Sequence, residues 1–560
     1  MYRWRRLTRR CSRRAVRTCG GDLRSRRAPL AAELQAVRPH CLGGRRGRKV
    51  EPSIQLAGGI AVSHLVFRSA CELARIIRHQ EASAEEVLEA HLRQIATYNQ
   101  PLNAVATLDE EGARRRAREA DEALARGDDW GPLHGVPVTF KDCFETAGLK
   151  TTSGFPPLKE YVPTKDATVV ARLRAAGAVV MGKTNLALLA TNWQTNNPVF
   201  GRTSNPWDHT RTPGGSSGGS GAAVAAGLSP LDIGSDIGGS IRVPAHFCGI
   251  YGFKPTEHRV PSTGHIPDWY IPGMTPRGSV RHMGVYGPLA RSIADLRLCF
   301  SVLAGPDGRQ PEVPPLPVAA ESPLPPVQEL RIAWTDQFGN TALSADTRAT
   351  LEKLATTLEQ HGARVERLQP QIDFDSIWRR WGEIVGAEVG GPMPFLLRNL
   401  MRLQFLLMRD RSPIRKGMLR GTRLTMRGLT EALQYRDEVI RGFDGLLERF
   451  DAWLCPVTPT PAFTHRKPGR PIEVNGRQIS YCVAVGGYTT PFSLSGHPVV
   501  VFPAGRSKEG LPIGVQVVGQ RWTDEQLLAV AASVDQRIVA LRHPPDYRAP
   551  AQGGESEPRT

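Results

Sequence analysis

Two periods of apolar and polar residues share this chain of 560 residues. Ala70–Arg78 reads as a helix, and Ser83 with Glu86 makes a capping box that opens a second one, in which Leu88, Leu92 and Ile95 recur at helical spacing. A highly charged helix covers Glu110–Arg126 and stops at Gly127. Gly135–Lys141 (GVPVTFK) then reads as a β-branched strand ending in a lysine. Asp166 is expected to cap a helix through Ala176, ended by Gly177, and Ala178–Met181 is a short apolar strand. Ala222–Gly227 predicts a buried helix whose alanines permit close packing. Further on, strands are expected at Leu330–Trp334, Ala363–Leu368 and Ala452–Pro456 and within Pro491–Gly505 and Leu511–Gly519, with helices at Asp346–His361 and Asp524–Asp535. Strands alternating with helices predict an α/β layered fold.

Other stretches lack such a period. Thr191–Pro213 reads as loop. Pro255–Pro276, with Trp269 and Tyr270, is a long irregular segment suited to the wall of a pocket, and Pro306–Pro326 reads as a surface linker. Phe395–Asp410 (FLLRNLMRLQFLLMRD) is apolar on a broad face with arginines interleaved. Packing over the body or in a dimer interface would produce that pattern; so would a helix lying in a membrane surface or walling a greasy substrate funnel.

Charge changes the picture less than its total suggests. The net charge is +18, but residues 1–50 carry 16 Lys/Arg against Asp22 and Glu33, leaving +4 on the other 510 residues. A domain that grips phosphates carries its charge on the folded body, so no nucleic-acid partner is expected. Residues 1–61 are expected to be an Arg-rich tail outside the folded body. They lack the apolar run of a secretory signal and fit a mitochondrial-type transit segment in part. They also fit translated upstream sequence, with Val62 as an alternative start. Residues 544–560 are expected to form a disordered tail. No apolar run is long enough for a transmembrane helix. The nine cysteines are scattered without a CxxC pair, so no metal or redox site is expected. Such scatter suits a reducing, cytoplasmic setting.

The candidate chemistry lies in Arg211–Cys248, where two glycine-serine clusters place Ser216 and Ser240 24 positions apart. A flexible linker would not carry the apolar Ala/Val segment between them. A phosphate loop needs Gly-Lys-Ser/Thr after its glycines, and no lysine follows here. Gly214–Gly218 matches the G-x-S-x-G of a nucleophile elbow, but the preceding NPWDHTRTP is no strand, and His497 and Asp524 stand in the wrong order for a Ser-Asp-His set. Cys143 and Cys248 read as packing residues, and His134, His246 and His497 as structural or surface ones.

Lys141 after a strand, GGSSGGS, and DIGGSIR with its serine 24 residues on together resemble the amidase signature family. The resemblance runs from about Ser69 to Ala531 and includes TNNPVFGRTSNPW, AHFCGIYGFKPT and GLPIGVQVVG. It implies a single catalytic domain over residues 62–543, an α/β/α layered fold around a large mixed β-sheet, and an amidohydrolase acting on a small-molecule amide without metal or cofactor. It further implies Ser240 as nucleophile, Ser216 as a bridging serine after a cis peptide bond, and Lys141 as base. The N–H groups of Ile237, Gly238, Gly239 and Ser240 would form the oxyanion hole, with Ser217 and Arg242 supporting and Asp236 anchoring the loop. Within the same family, the A subunit of glutamyl-tRNA(Gln) amidotransferase, its glutaminase component, is a rival reading, favoured less because of the long segments at 255–285 and 372–435. An inactive binding scaffold is another, opposed by the presence of all three catalytic residues. A homodimer is compatible with the pattern.

Overall fold

The chain divides into two units, residues 1–50 and 51–560. A computed structural model describes residues 65–268, 270–275, 277–319, 322–538 and 543–547, all in the second unit. The Arg-rich segment 1–61 and Trp269 thus lie outside the described residues.

The N-terminal helices form where their caps dictate. α1 (Ala70–Arg78) and α2 (Ala84–Leu102) each open on a capping box, Ser69 with Glu72 and Ser83 with Glu86. Asp109 caps α3 (Glu110–Ala125). α4 (Thr168–Ala175) departs from expectation: it has no side-chain cap. The Asp166 carboxylate instead accepts the N–H of Ala147 at 2.7 Å. A short acidic side chain serves whichever backbone donor reaches it first, and here a loop 19 residues back supplies that donor.

Eleven strands make one mixed sheet: β1 (Val105–Leu108), β2 (Pro137–Lys141), β3 (Val179–Thr184), β4 (Leu231–Asp236), β5 (Tyr251–Lys254), β6 (Val285–Ala290), β7 (Arg331–Trp334), β8 (Arg364–Arg367), β9 (Ala452–Pro456), β10 (Val499–Arg506) and β11 (Pro512–Val518). Their spatial order is β1-β3-β2-β4-β6-β5-β10-β11-β9-β7-β8. β2 runs parallel to both β3 and β4, whereas β4 and β6 are antiparallel.

Side chains along these strands alternate between two cores. Ala452 and Leu454 of β9 join one cluster while Trp453 and Cys455 join the other; Val500 and Phe502 of β10 oppose Val499 and Val501 in the same way. The first core packs against α1, α2, α4, α7 (Ile293–Leu303), α8 (Ala345–Gln360) and α15 (Asp524–Asp535). The second packs against α6 (Arg242–Cys248), α9 (Phe374–Gly390), α12 (Met426–Leu447), α13 (Tyr481–Gly486) and α14 (Thr490–Leu494). This is the α/β/α layering, with the sheet in the middle. α5 (Gly218–Ala225) is buried throughout. α10 (Phe395–Leu407), by contrast, has no buried residue and is followed by α11 (Pro413–Gly421).

Strands β1, β4, β5 and β6 are absent from the sequence reading. β4 reads LDIGSD and hides its period because both its faces are buried. Its Asp232 is sheltered by the hydroxyls of Thr139 and Thr184, at 2.6 and 3.0 Å. At the C-terminus, Tyr547 is 2% exposed and its hydroxyl bonds the His209 ring at 2.6 Å. The expected tail from 544 onward therefore includes at least one packed residue, and 548–560 lie outside the described residues. Among the described residues no helix is long and apolar enough to cross a membrane.

Candidate active site

β2 and β4 are parallel neighbours, so their carboxyl ends lie side by side. Open α/β sheets bind ligands at such ends. Lys141 is the last residue of β2, Ser235 and Asp236 are the last of β4, and Ser240 sits in the turn leading to α6. Ser216 and Ser217 stand just before α5, which begins inside the first glycine-serine cluster. The Gly215–Ser216 peptide is cis.

Lys141 is fully buried. Its Nζ donates to Ser216 Oγ at 2.7 Å and to Ser235 Oγ at 2.9 Å. Burial pushes its ammonium below the ordinary value of 10.5. One strand away, Lys183 is equally buried but differently partnered. Its Nζ donates to the Phe144 carbonyl at 2.6 Å and to Thr151 Oγ1 at 3.0 Å, with Asp142 Oδ1 3.8 Å away. A neighbouring carboxylate favours the ammonium form. Two serine hydroxyls do not, since each is donor and acceptor. Burial lowers Lys183 as well as Lys141, with the Asp142 charge opposing that shift at Lys183.

The turn after β4 is held from three sides. Burial would raise the Asp236 carboxyl, but the Arg242 charge and its hydrogen bonds outweigh this and hold it at about 2. Asp236 accepts from the Gly239 N–H at 2.7 Å, the Ile241 N–H at 3.0 Å and Arg242 Nη2 at 2.8 Å. Arg242 in turn donates to the Thr489 carbonyl, Ser493 Oγ and Gln516 Oε1 at 2.7, 2.7 and 3.1 Å. Trp381 Nε1 holds the Ile237 carbonyl at 2.9 Å, and Trp193 Nε1 and Thr489 Oγ1 hold that of Gly238 at 2.9 and 2.8 Å. In a planar trans peptide the following N–H points the opposite way. Of the four N–H groups expected to form an anion cradle, Gly239's is therefore committed to Asp236. Those of Ile237, Gly238 and Ser240 meet no acceptor among the described residues. Gly239 sits at φ +115°, and a Cβ there would lie 2.6 Å from Thr489 Oγ1, so only glycine fits.

Ser240 lines a cavity of about 710 Å³ with Ser216, Ser235, Ile237 and Gly238. Its far walls are apolar: Phe155, Leu189, Ile271, Trp381, Val385 and the inner side of α10. The expected wall at 255–276 contributes Pro267, Asp268 and Ile271. Tyr270 faces elsewhere and donates to Glu145. Burial pushes the Asp268 carboxyl up to about 6, and Tyr286 donates to it at 3.1 Å. Cys143 bonds the His265 ring at 3.1 Å, and burial pushes its thiol to about 12, which keeps it protonated and inert. Among the described residues no group of His, Cys, Asp and Glu is arranged to hold a metal.

Fold and site together define an α/β enzyme of the amide-hydrolysing kind. The chain belongs to the Amidase family, whose model matches residues 86–528. It is 31% identical to the glutamyl-tRNA(Gln) amidotransferase A subunit of Alkaliphilus metalliredigens, over 84% of this chain and 96% of that protein. With indoleacetamide hydrolase of Bradyrhizobium diazoefficiens the identity is 33%, over 85% and 87%. Among solved structures, 6-aminohexanoate cyclic dimer hydrolase complexed with substrate superposes with a TM-score of 0.70 at 28% identity, covering 86% of this chain and 99% of that one.

The sequence-predicted residues Lys141, Ser216, Ser217, Asp236, Ser240 and Arg242 meet at one place. Sequence reasoning missed Ser235, the second partner of Lys141, and Trp193, Trp381 and Thr489, which hold the Ile237 and Gly238 carbonyls. Ser235 had a signal: it is the residue before Asp236, on the same motif. The tryptophans had none, since nothing local marks an indole that bonds a carbonyl 45 or 144 positions away.

Proposed function

We propose that this protein hydrolyses a carboxylic amide to a carboxylate and ammonia or an amine through an acyl-enzyme on Ser240. A serine hydroxyl becomes a useful nucleophile when a base takes its proton. Neutral Lys141 is that base, and Ser216 passes the proton from Ser240 to it. As Ser240 Oγ bonds the amide carbon, negative charge grows on the amide oxygen and the Ile237, Gly238 and Ser240 N–H groups receive it. The proton returns along the same relay to the amide nitrogen, the C–N bond breaks, and the amine leaves. Water then attacks the acyl carbon, giving its proton to the relay, which returns it to Ser240 as the acid departs. Ser217, Asp236 and Arg242 hold the turn in shape. The observation that carries this reading is the Lys141 Nζ, buried beside the cavity and bonded to two hydroxyls, with Ser216 at 2.7 Å.

The apolar cavity supports an apolar acyl group. The rival reading, a glutaminase component of a larger complex, is favoured by the match to 96% of one such relative. Against it, the one cationic side chain among the described cavity-lining residues, Arg415, already donates to the carbonyls of Phe405 and Leu406, so a glutamine α-carboxylate finds no free counter-charge among them. The described cysteines are free, which suits the reducing cytoplasm. A screen of short aliphatic, aryl, long-chain amides and glutamine, on the purified chain alone, tests both readings. Ser240→Ala is expected to lower turnover by about 10⁴-fold or more; full activity in that variant would refute the mechanism. Glutamine as the only substrate turned over, and only weakly, would favour the glutaminase reading.

A further inference from the structure

The wall of the cavity formed by α10 differs from the rest of the surface. Phe395, Leu396 and Leu406 are 73%, 69% and 54% exposed, and Met426 at the start of α12 is 79% exposed. Leu397, Met401 and Phe405 of the same helix line the cavity. α10 is thus apolar toward solvent as well as toward the substrate site.

The charge is concentrated here too. Residues 395–427 hold nine Lys/Arg and one acid, Asp410, a net +8 in 33 residues, so the rest of 51–560 is net −4. Asp410 is turned inward, accepting the N–H groups of Ser412 and Cys482 at 2.8 and 2.7 Å. Among the described residues Arg398, Arg402, Arg409, Arg411, Lys416 and Arg423 pair with no carboxylate. The unpaired charges of this segment are all cationic, and they lie beside the most exposed apolar side chains of the described residues.

We infer that this face rests on an anionic lipid bilayer, with the outer side of α10 at the boundary of headgroups and acyl chains and the arginines among the phosphates. Exposed leucine and phenylalanine flanked by arginine gain from both parts of such a surface. The contact is with one leaflet, because among the described residues no helix can span. A two-fold contact between copies would set the same patch against itself, +8 facing +8. Since the cavity lies directly behind α10, an apolar amide dissolved in the leaflet has its shortest way to Ser240 past this helix. That last step rests on the proposed amide hydrolysis; the bilayer contact does not.

The test uses the full chain with vesicles of phosphatidylcholine alone and of phosphatidylcholine with an equal share of phosphatidylglycerol. Partition onto the mixed vesicles should exceed that onto the neutral ones by about tenfold or more, and fall in about 0.5 M salt. Phe395→Ser, Leu396→Ser and Leu406→Ser combined, all outside the cavity lining, should remove most of the binding and keep the wild-type rate on a short soluble amide. A second variant, Arg423→Glu with Arg427→Glu, should weaken binding to the mixed vesicles alone. Ser240→Ala should bind as wild type, so a failed mechanism and a failed docking surface are told apart. Absence of binding to mixed vesicles overturns the inference. Equal binding by wild type and both variants, or a dimer that the triple variant dissolves in place of vesicle binding, does so too.

Discussion

The two ends of one cavity follow opposite rules. At the Ser240 end, Lys141, Ser216, Ser217 and Arg242 are fully buried, and Asp236 is 1% exposed. Each is held by partners from other elements, and the Asp236–Arg242 pair alone ties β4, α6, α14 and β11 together. At the far end α10 itself has no buried residue and rests on α11 at the edge of the cavity. A buried polar cluster works only when complete, because each unpaired member carries its full desolvation penalty. An exposed apolar helix tolerates change residue by residue. On the proposed mechanism, the chemistry belongs to the end that cannot drift.

That contrast is sharpest in catalysis. Lys141→Ala should lower kcat/KM by up to about 10⁴-fold without displacing any group of the α10 wall. In the wild type, burial holds Lys141 below 10.5, so the neutral base accumulates as pH rises through that lowered value. kcat/KM should then rise with pH along a limb that ends below 10.5, and Lys141→Ala should remove the limb; a limb at or above 10.5 would mean that the lysine is not the base.

Stability is the next test. Arg242→Ala leaves Asp236 charged and buried without its partner, and should destabilise the fold by about 3–5 kcal/mol, read as a lowered denaturation midpoint. The Asp236 carboxyl, held at about 2 against an ordinary 3.8, stabilises the native state above 3.8. That contribution is lost as the pH falls through about 2. The variant should therefore lack part of the acid-unfolding limb. The smallest effect is expected at the other end: Leu406→Ala should change stability by about 0.5 kcal/mol or less. A loss of several kcal/mol there would show that the α10 wall is core after all, and the contrast would collapse.

The legible part of the site was the part encoded locally. Lys141, Ser216 and Ser240 stand in short motifs whose glycines, serines and spacing carry their meaning along the chain. The helices with good caps were legible for the same reason, and α1, β9 and α15 begin and end where the pattern sets them. β4 was not, because alternation marks a strand only when one face meets water, and both faces of LDIGSD are buried. Asp166 misled because a carboxylate's choice among nearby donors is decided by tertiary distance, which sequence does not contain. Phe395–Leu407 was legible as an apolar helix, yet an amphipathic pattern does not say which neighbour its outer side meets; that required the exposure of its side chains and the unpaired cations around them.

The reach of Arg242 has a consequence in the order of synthesis. Lys141, Ser216 and Ser240 all leave the ribosome long before Thr489 and Gln516, which lie 247 and 274 positions beyond Arg242. Until β11 is made, the turn bearing Ser240 lacks part of the set of acceptors that fix its arginine. On the proposed mechanism, the growing chain thus carries its reactive groups for half its translation before the last strand of the sheet supplies the acceptors that fix Arg242.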